Sequence, residues 1–160
     1  MLRSQPFGSS KARVLVEPDV LARLAVYRQM DPSAREAGGI LLGFRRGEHL
    51  HVSDATEPQA VDIRSRFGFH RRAKHHQAIA LERWAATGRK MDYLGEWHTH
   101  PEHCPAPSGI DVRHWREICQ ARTAPMVFII LGMSDVWVGV GLNHDIRPAA
   151  QFSILNETPL

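Results

Sequence analysis

The chain has 160 residues, 43% apolar and 23% charged, the size and make-up of one globular domain around a single core. No apolar run approaches a membrane span, and the N-terminal MLRSQPFGSSKAR has no apolar segment behind its basic residues, so the expected location is the cytoplasm. The net charge of +3 is dispersed apart from a basic run at 64–76, and Cys104 and Cys119 lack CxxC spacing, which leaves no nucleic-acid motif and no disulfide framework.

Residues 1–10 and 156–160 read as loose tails around one domain spanning 11–155. ARVLVE at 12–17 alternates and is rich in β-formers, which predicts a strand. Pro18 stands where a first helical turn tolerates proline, and Leu21, Leu24, Ala25 and Arg28 follow at helical spacing. GGILLGF at 38–44 predicts an apolar strand, and EHLHVSDATEP at 48–58 alternates like its hairpin partner. A short strand is expected at 66–70 and a helix at 73–87, ended by Gly88. A strand at 92–97, a helix from Ser108 to about Ala121, and strands at 126–132 and 135–141 complete an α/β (α+β) pattern of one mixed sheet and three helices, with no linker.

The stretch GEWHTHPEHCPAPSGIDV at 95–112 concentrates the chemistry. In a strand alternate residues share a face, so His98 and His100 point the same way. Pro101 ends the ladder, and PEHCPAP is too proline-rich to be regular. Ser108 with Asp111 three residues later reads, taken alone, as a capping box. Taken together, two imidazoles and a carboxylate suit zinc, with a fourth position left for water. A structural zinc site is closed by four ligands rich in cysteine, whereas an open one serves catalysis, because zinc lowers the pKa of its water to roughly 7. Such a water needs a base that is not a ligand, and Glu36 in EAGGILLG is the upstream candidate.

Glu36 with GGILLG, then His98-x-His100-Pro101, the seven residues between His100 and Ser108, and Asp111 together resemble the JAMM motif of JAB/MPN metalloproteases. The resemblance implies a single JAB/MPN-type domain: a mixed curved sheet flanked by helices, layered like a cytidine deaminase. It implies one Zn²⁺ per chain on His98, His100 and Asp111. Glu36 then acts first as base towards water and afterwards as acid towards the leaving amine, while Ser108 donates a hydrogen bond to the oxyanion. No covalent intermediate is needed, so neither cysteine has to react. DIRSRFGFHRRAKHHQ, followed by a tryptophan-bearing helix and YLGEWHTHPE…PSGID, is similar to the short bacterial JAB proteases of antiphage islands. That likeness implies a protein substrate, either a ubiquitin-like modifier or a conjugated nucleotidyltransferase, and company with activating- and conjugating-type enzymes. The chain after Asp111 runs straight into a helix and two strands and leaves little room for the large insertion of eukaryotic ubiquitin-chain-specific relatives, so selectivity of that kind is not expected.

His103, Glu102 and Cys104 are expected on the rim of the site, and the other histidines at the surface or in packing. Trp97 is expected beneath the ligands, and Trp84 and Trp115 in the core. The basic run is either a solvated face or part of a partner groove. HTHPEH also resembles the H-x-H-x-[DE]-H run of metallo-β-lactamase-fold hydrolases, with His103 as third histidine, but that reading leaves Glu36, Ser108 and Asp111 unexplained. A non-catalytic MPN-type scaffold and a JAB-like protein of DNA metabolism are the remaining alternatives.

Overall fold

The computed structural model describes residues 2–3 and 13–154. Its main sheet has eight strands in the order β1-β2-β4-β3-β7-β8-β9-β10: β1 (Leu2–Arg3), β2 (Val14–Val16), β3 (Gly38–Arg46), β4 (His49–Ala55), β7 (Asp92–Thr99), β8 (Met126–Leu131), β9 (Asp135–Leu142) and β10 (Asp145–Ser153). The pairs β2/β4 and β7/β8 are parallel and the others antiparallel, so the expected mixed sheet is present. A separate hairpin joins β5 (Ile63–Ser65) to β6 (Gly68–His70). Of the tail expected at 1–10, Leu2–Arg3 is described, as strand β1. The tail expected at 156–160 lies outside the described residues.

Three helices cover the sheet, and their apolar faces decide the sides. Helix α1 (Pro18–Ala25) begins on its proline and buries Val20, Leu21 and Leu24 into a core shared with Leu41, Val52, Leu94, Trp97 and Ile129. Helix α3 (Gly109–Gln120) buries Trp115 and Cys119 on the other side, with Phe128, Ile130 and Trp137. Trp115 stacks on Phe128 at 4.5 Å and on Trp137 at 5.7 Å. Helix α2 (Ala73–Ala86) has no continuous apolar stripe, and Trp84, expected in the core, is instead 40% exposed under the Arg89 guanidinium.

Three elements depart from expectation. The short strand expected at 66–70 is a hairpin whose turn is Arg66–Phe67. α1 stops at Ala25, three residues before Arg28. DIRPAAQFS forms β10 although it carries a proline; its register shifts between Pro148 and Ala150, where an edge strand tolerates a missing N–H.

A β-bulge in β7 determines which face carries the site. β3 pairs Leu41 with Gly95 and Leu42 with Tyr93, so Leu94 is the extra residue. In an unbulged strand Leu94, Glu96 and His98 would share a face. With the bulge, Leu94 and Trp97 enter the α1-side core, while His98 turns to α3, its ring 5.8 Å from that of Trp115. Gly95 makes the bulge possible, since a β-carbon there would stand 1.7 Å from the Val127 carbonyl oxygen. Gly95→Ala is therefore expected to cost about 3 kcal/mol or more, or to prevent folding, as read by chemical denaturation.

Candidate active site

His98 lies near the end of β7 and His100 just beyond it, with Thr99 between them facing the opposite way. The strand end is held from both neighbours: the His100 N–H donates to Leu131 O at 3.0 Å and the Thr99 N–H to Ala37 O at 2.9 Å. Ala37 N–H donates in turn to Thr99 Oγ1 at 3.0 Å. Glu36, the residue before Ala37, is thereby set beside the two histidines across a wide gap in sequence. Its side chain is buried, and it offers a carboxylate oxygen within 4.8 Å of a ring nitrogen on each.

Ser108 and Asp111 form the capping box that the sequence suggests. Asp111 N–H donates to Ser108 Oγ at 3.2 Å, and Ser108 N–H donates to Asp111 Oδ2 at 2.6 Å. The same carboxylate reaches inward: Asp111 Oδ1 is 3.3 Å from His98 Nε2, and Oδ2 is 3.4 Å from His100 Nε2. The two Nε2 atoms are 3.0 Å apart. Donors about 2.0–2.1 Å from one ion at tetrahedral angles stand about 3.3 Å from each other. Two imidazoles and a carboxylate in this triangle fit a divalent ion of the zinc type. Ser108 itself is exposed and joins the group through the cap rather than from inside the cleft.

The local electrostatics follow from the burial of these charges. Burial pushes the Glu36 carboxyl above the usual carboxylate range, and the neighbouring His98 and His100 offset this in part. Burial also opposes the charged form of Asp111, but hydrogen bonds with His100 and His98 outweigh it and hold the group well below its ordinary pKa. Burial disfavours charge on His100, yet Asp111, Glu36 and Glu102 raise its pKa overall. His100 Nδ1 has no hydrogen-bond partner among the described residues, with the Glu102 carboxylate 4.0 Å away.

The site opens into a cleft of about 320 Å³ between β6 and α3, walled by Phe69 and Ile110. Its lining contains a charged bridge that sequence reading missed. Glu96 Oε1 meets Arg71 at 2.7 Å, and Glu96 Oε2 meets His114 Nε2 at 3.2 Å. The one available signal was an acidic residue two places before His98, on the same strand face. His103 and Cys104 are exposed, as expected of a rim; His103 Nδ1 lies 2.8 Å from Ser134 Oγ, and Asp135 raises the Cys104 thiol. A third-histidine role for His103 is not supported by that placement.

Residues 18–141 match the family model described as prokaryotic homologs of the JAB domain. A CD-NTase/cGAS isopeptidase of Escherichia coli (strain TW11681) is 40% identical over 134 residues, covering 84% of this chain and 85% of the relative. One from Vibrio cholerae serotype O1 is 41% identical over 130 residues, covering 81% and 83%. A protein of Sinorhizobium fredii named as a probable metalloprotease is 27% identical over 109 residues, covering 64% and 66%. The solution structure of protein DSY2949 from Desulfitobacterium hafniense shares the fold, with a TM-score of 0.61 at 20% identity over 84% of this chain and 88% of that one.

The Glu96 bridge carries a pH signature. Burial raises the Glu96 carboxyl pKa, but His114 and Arg71 lower it below the ordinary 4.5, so its stabilisation is present above 4.5 and fades as the pH falls through the depressed value. Glu96 raises the His114 pKa above 6.5, so that contribution is present below 6.5 and fades as the pH rises through the raised value. Glu96→Gln is expected to cost about 1–3 kcal/mol. In denaturant titrations the gap from wild type should be widest between pH 4.5 and 6.5 and narrow on both sides.

Proposed function

This chain belongs to the prokaryotic JAB-domain family, and on that premise we propose that it is a zinc-dependent isopeptidase of a bacterial antiphage conjugation system. The reading rests on one observation above the others: three donors 3.0–3.4 Å apart, with a buried glutamate of raised pKa beside them. In this reading His98, His100 and Asp111 hold one Zn²⁺ per chain. Bound there, zinc supplies Lewis acidity and makes water a stronger acid.

Every other step belongs to the protein's own groups. Glu36 takes the proton from the attacking water and passes it to the leaving amine; burial raises its pKa, which strengthens it as a base towards water. Ser108 Oγ accepts from the Asp111 N–H in the helix cap, and in this reading its hydroxyl, which also bonds the Asp111 carboxylate, turns to donate to the oxyanion. The amide carbon is attacked by water alone, so no acyl-enzyme forms. The exposed Cys104 and the buried Cys119, whose thiol burial pushes up to about 11, take no part.

Relatives at 40–41% identity over more than four-fifths of the chain carry the name CD-NTase/cGAS isopeptidase, which favours a conjugated nucleotidyltransferase as the protein released. A ubiquitin-like modifier is the second candidate for that position. Activating- and conjugating-type enzymes that make the bond are the proposed functional partners, and the proposed compartment is the cytoplasm. Among the described residues no helix is long and apolar enough to cross a membrane. A scaffold without catalysis would have no use for the complete donor set and its adjacent base.

Glu36→Ala is expected to abolish cleavage of an isopeptide-linked conjugate while bound zinc, by elemental analysis, stays at wild-type level. Zinc loss together with activity would make Glu36 a ligand instead. Ser108→Ala is expected to lower kcat by about 10²–10³-fold if its hydroxyl serves the oxyanion. Loss of the cap alone would cost about 1 kcal/mol of stability with kcat unchanged.

A further inference from the structure

Glu36 stands at the end of an irregular stretch, residues 26–37, between α1 and β3. No helix or strand of its own aims its carboxylate. Its main chain is gripped on both sides by the β5–β6 hairpin. Glu36 N–H donates to Ser65 O at 2.7 Å. The Arg64 guanidinium donates from Nε to Glu36 O at 2.8 Å and from its NH2 nitrogen to Arg35 O at 3.2 Å. One planar fork therefore spans two successive carbonyls with a fixed geometry that the rotatable point charge of a lysine ammonium does not reproduce.

The hairpin is itself anchored. Gln29, 1% exposed, donates to Arg66 O at 2.8 Å and to Ala34 O at 3.2 Å. Its Oε1 accepts from Thr99 Oγ1 at 3.0 Å, and Thr99 accepts from Ala37 N–H. A buried amide thus ties the hairpin, the Glu36 loop and the end of the histidine strand into one network. The ends of that network are Arg64 on one side and the residue between the two histidines on the other.

We propose that Arg64 is a positioning residue for the reaction, fixing the Glu36 carboxylate relative to His98 and His100 through the Glu36 main chain. This rests on Glu36 being the base. A glutamate displaced by an ångström still folds and still sits beside the donor triangle, but no longer meets water and leaving amine in line. Displacements of that size cost about 10²-fold in rate. The effect belongs in kcat, because Arg64 holds carbonyls of the loop and is not part of the cleft lining.

The test compares wild type, Arg64→Ala, Arg64→Lys and Arg66→Ala, all zinc-loaded, on one isopeptide-linked conjugate. Arg66 lies in the same hairpin, and its side chain donates to Asp31 O, outside the Glu36 grip. Arg64→Ala should lower kcat about 10–100-fold with KM within about twofold, bound zinc unchanged, and exchange of the Glu36 amide hydrogen accelerated. Arg64→Lys, which keeps charge and fold, should fall between, and Arg66→Ala should match wild type. If Arg64→Ala does not fold, a lowered kcat with intact zinc in Arg64→Lys carries the same meaning. Wild-type kcat in both Arg64 variants, an equal loss in Arg66→Ala, or unchanged Glu36 amide exchange would overturn the proposal. A wild-type protein that cleaves nothing would instead sink the isopeptidase reading, while amide exchange would still report the grip.

Discussion

Two hydrogen bonds between Ala37 and Thr99 set the geometry on which the site depends. They join the loop that carries Glu36 to the strand end that carries His98 and His100, so a carboxylate and two imidazoles from distant parts of the chain face one point. Thr99 is buried, and its hydroxyl both accepts from Ala37 and donates to Gln29. A valine there would keep the strand but leave the Ala37 N–H and the Gln29 carbonyl without partners in a buried place, an arrangement proteins seldom tolerate. The spacing residue of the H-x-H motif is thus itself structural.

The rest of the site is built by making one group serve two ends. Asp111 closes the capping box at the start of α3 and presents the same carboxylate to both histidines. Trp115, one helical turn later, fills the core against Phe128 and brings its ring to that of His98. The position of α3 and the orientation of the donors are therefore coupled, and helix docking fixes the donor triangle. Glu96 extends the coupling along β7, linking Arg71 before α2 to His114 on α3 across the cleft.

The strong periodic segments were legible from the sequence alone: the apolar strands β3, β8 and β9, the proline-opened α1, and α3 with its cap. The grouping of His98, His100 and Asp111 was legible too, because spacing in a strand and at a helix start translates directly into shared faces. What escaped was set by long-range contacts. The bulge at Leu94–Gly95 reverses the parity of β7, yet its only local trace is a glycine. The irregular strand β10 has a proline and weak β-formers, and its pairing with β9 decides its conformation. Gln29 draws no reading from the sequence, and Arg64 reads only within a basic run, as a solvated face or part of a partner groove, since nothing local shows that their partners are main-chain carbonyls. Trp84 misled in the other direction, because an aromatic residue on a helix without an apolar stripe has no core to enter.

The proposed function requires that the donors of His98, His100 and Asp111, with Glu36 beside them, hydrolyse an isopeptide bond by direct attack of water. Its most direct test is a single-turnover cleavage of a nucleotidyltransferase–target conjugate by zinc-loaded protein in ¹⁸O-water, with the released carboxylate analysed by mass spectrometry. One ¹⁸O atom is expected in the first product formed, with no protein-bound acyl adduct and with loss of the reaction when metal is removed by a chelator. An intact conjugate, a first-turnover product lacking ¹⁸O, or cleavage that survives metal removal would contradict it.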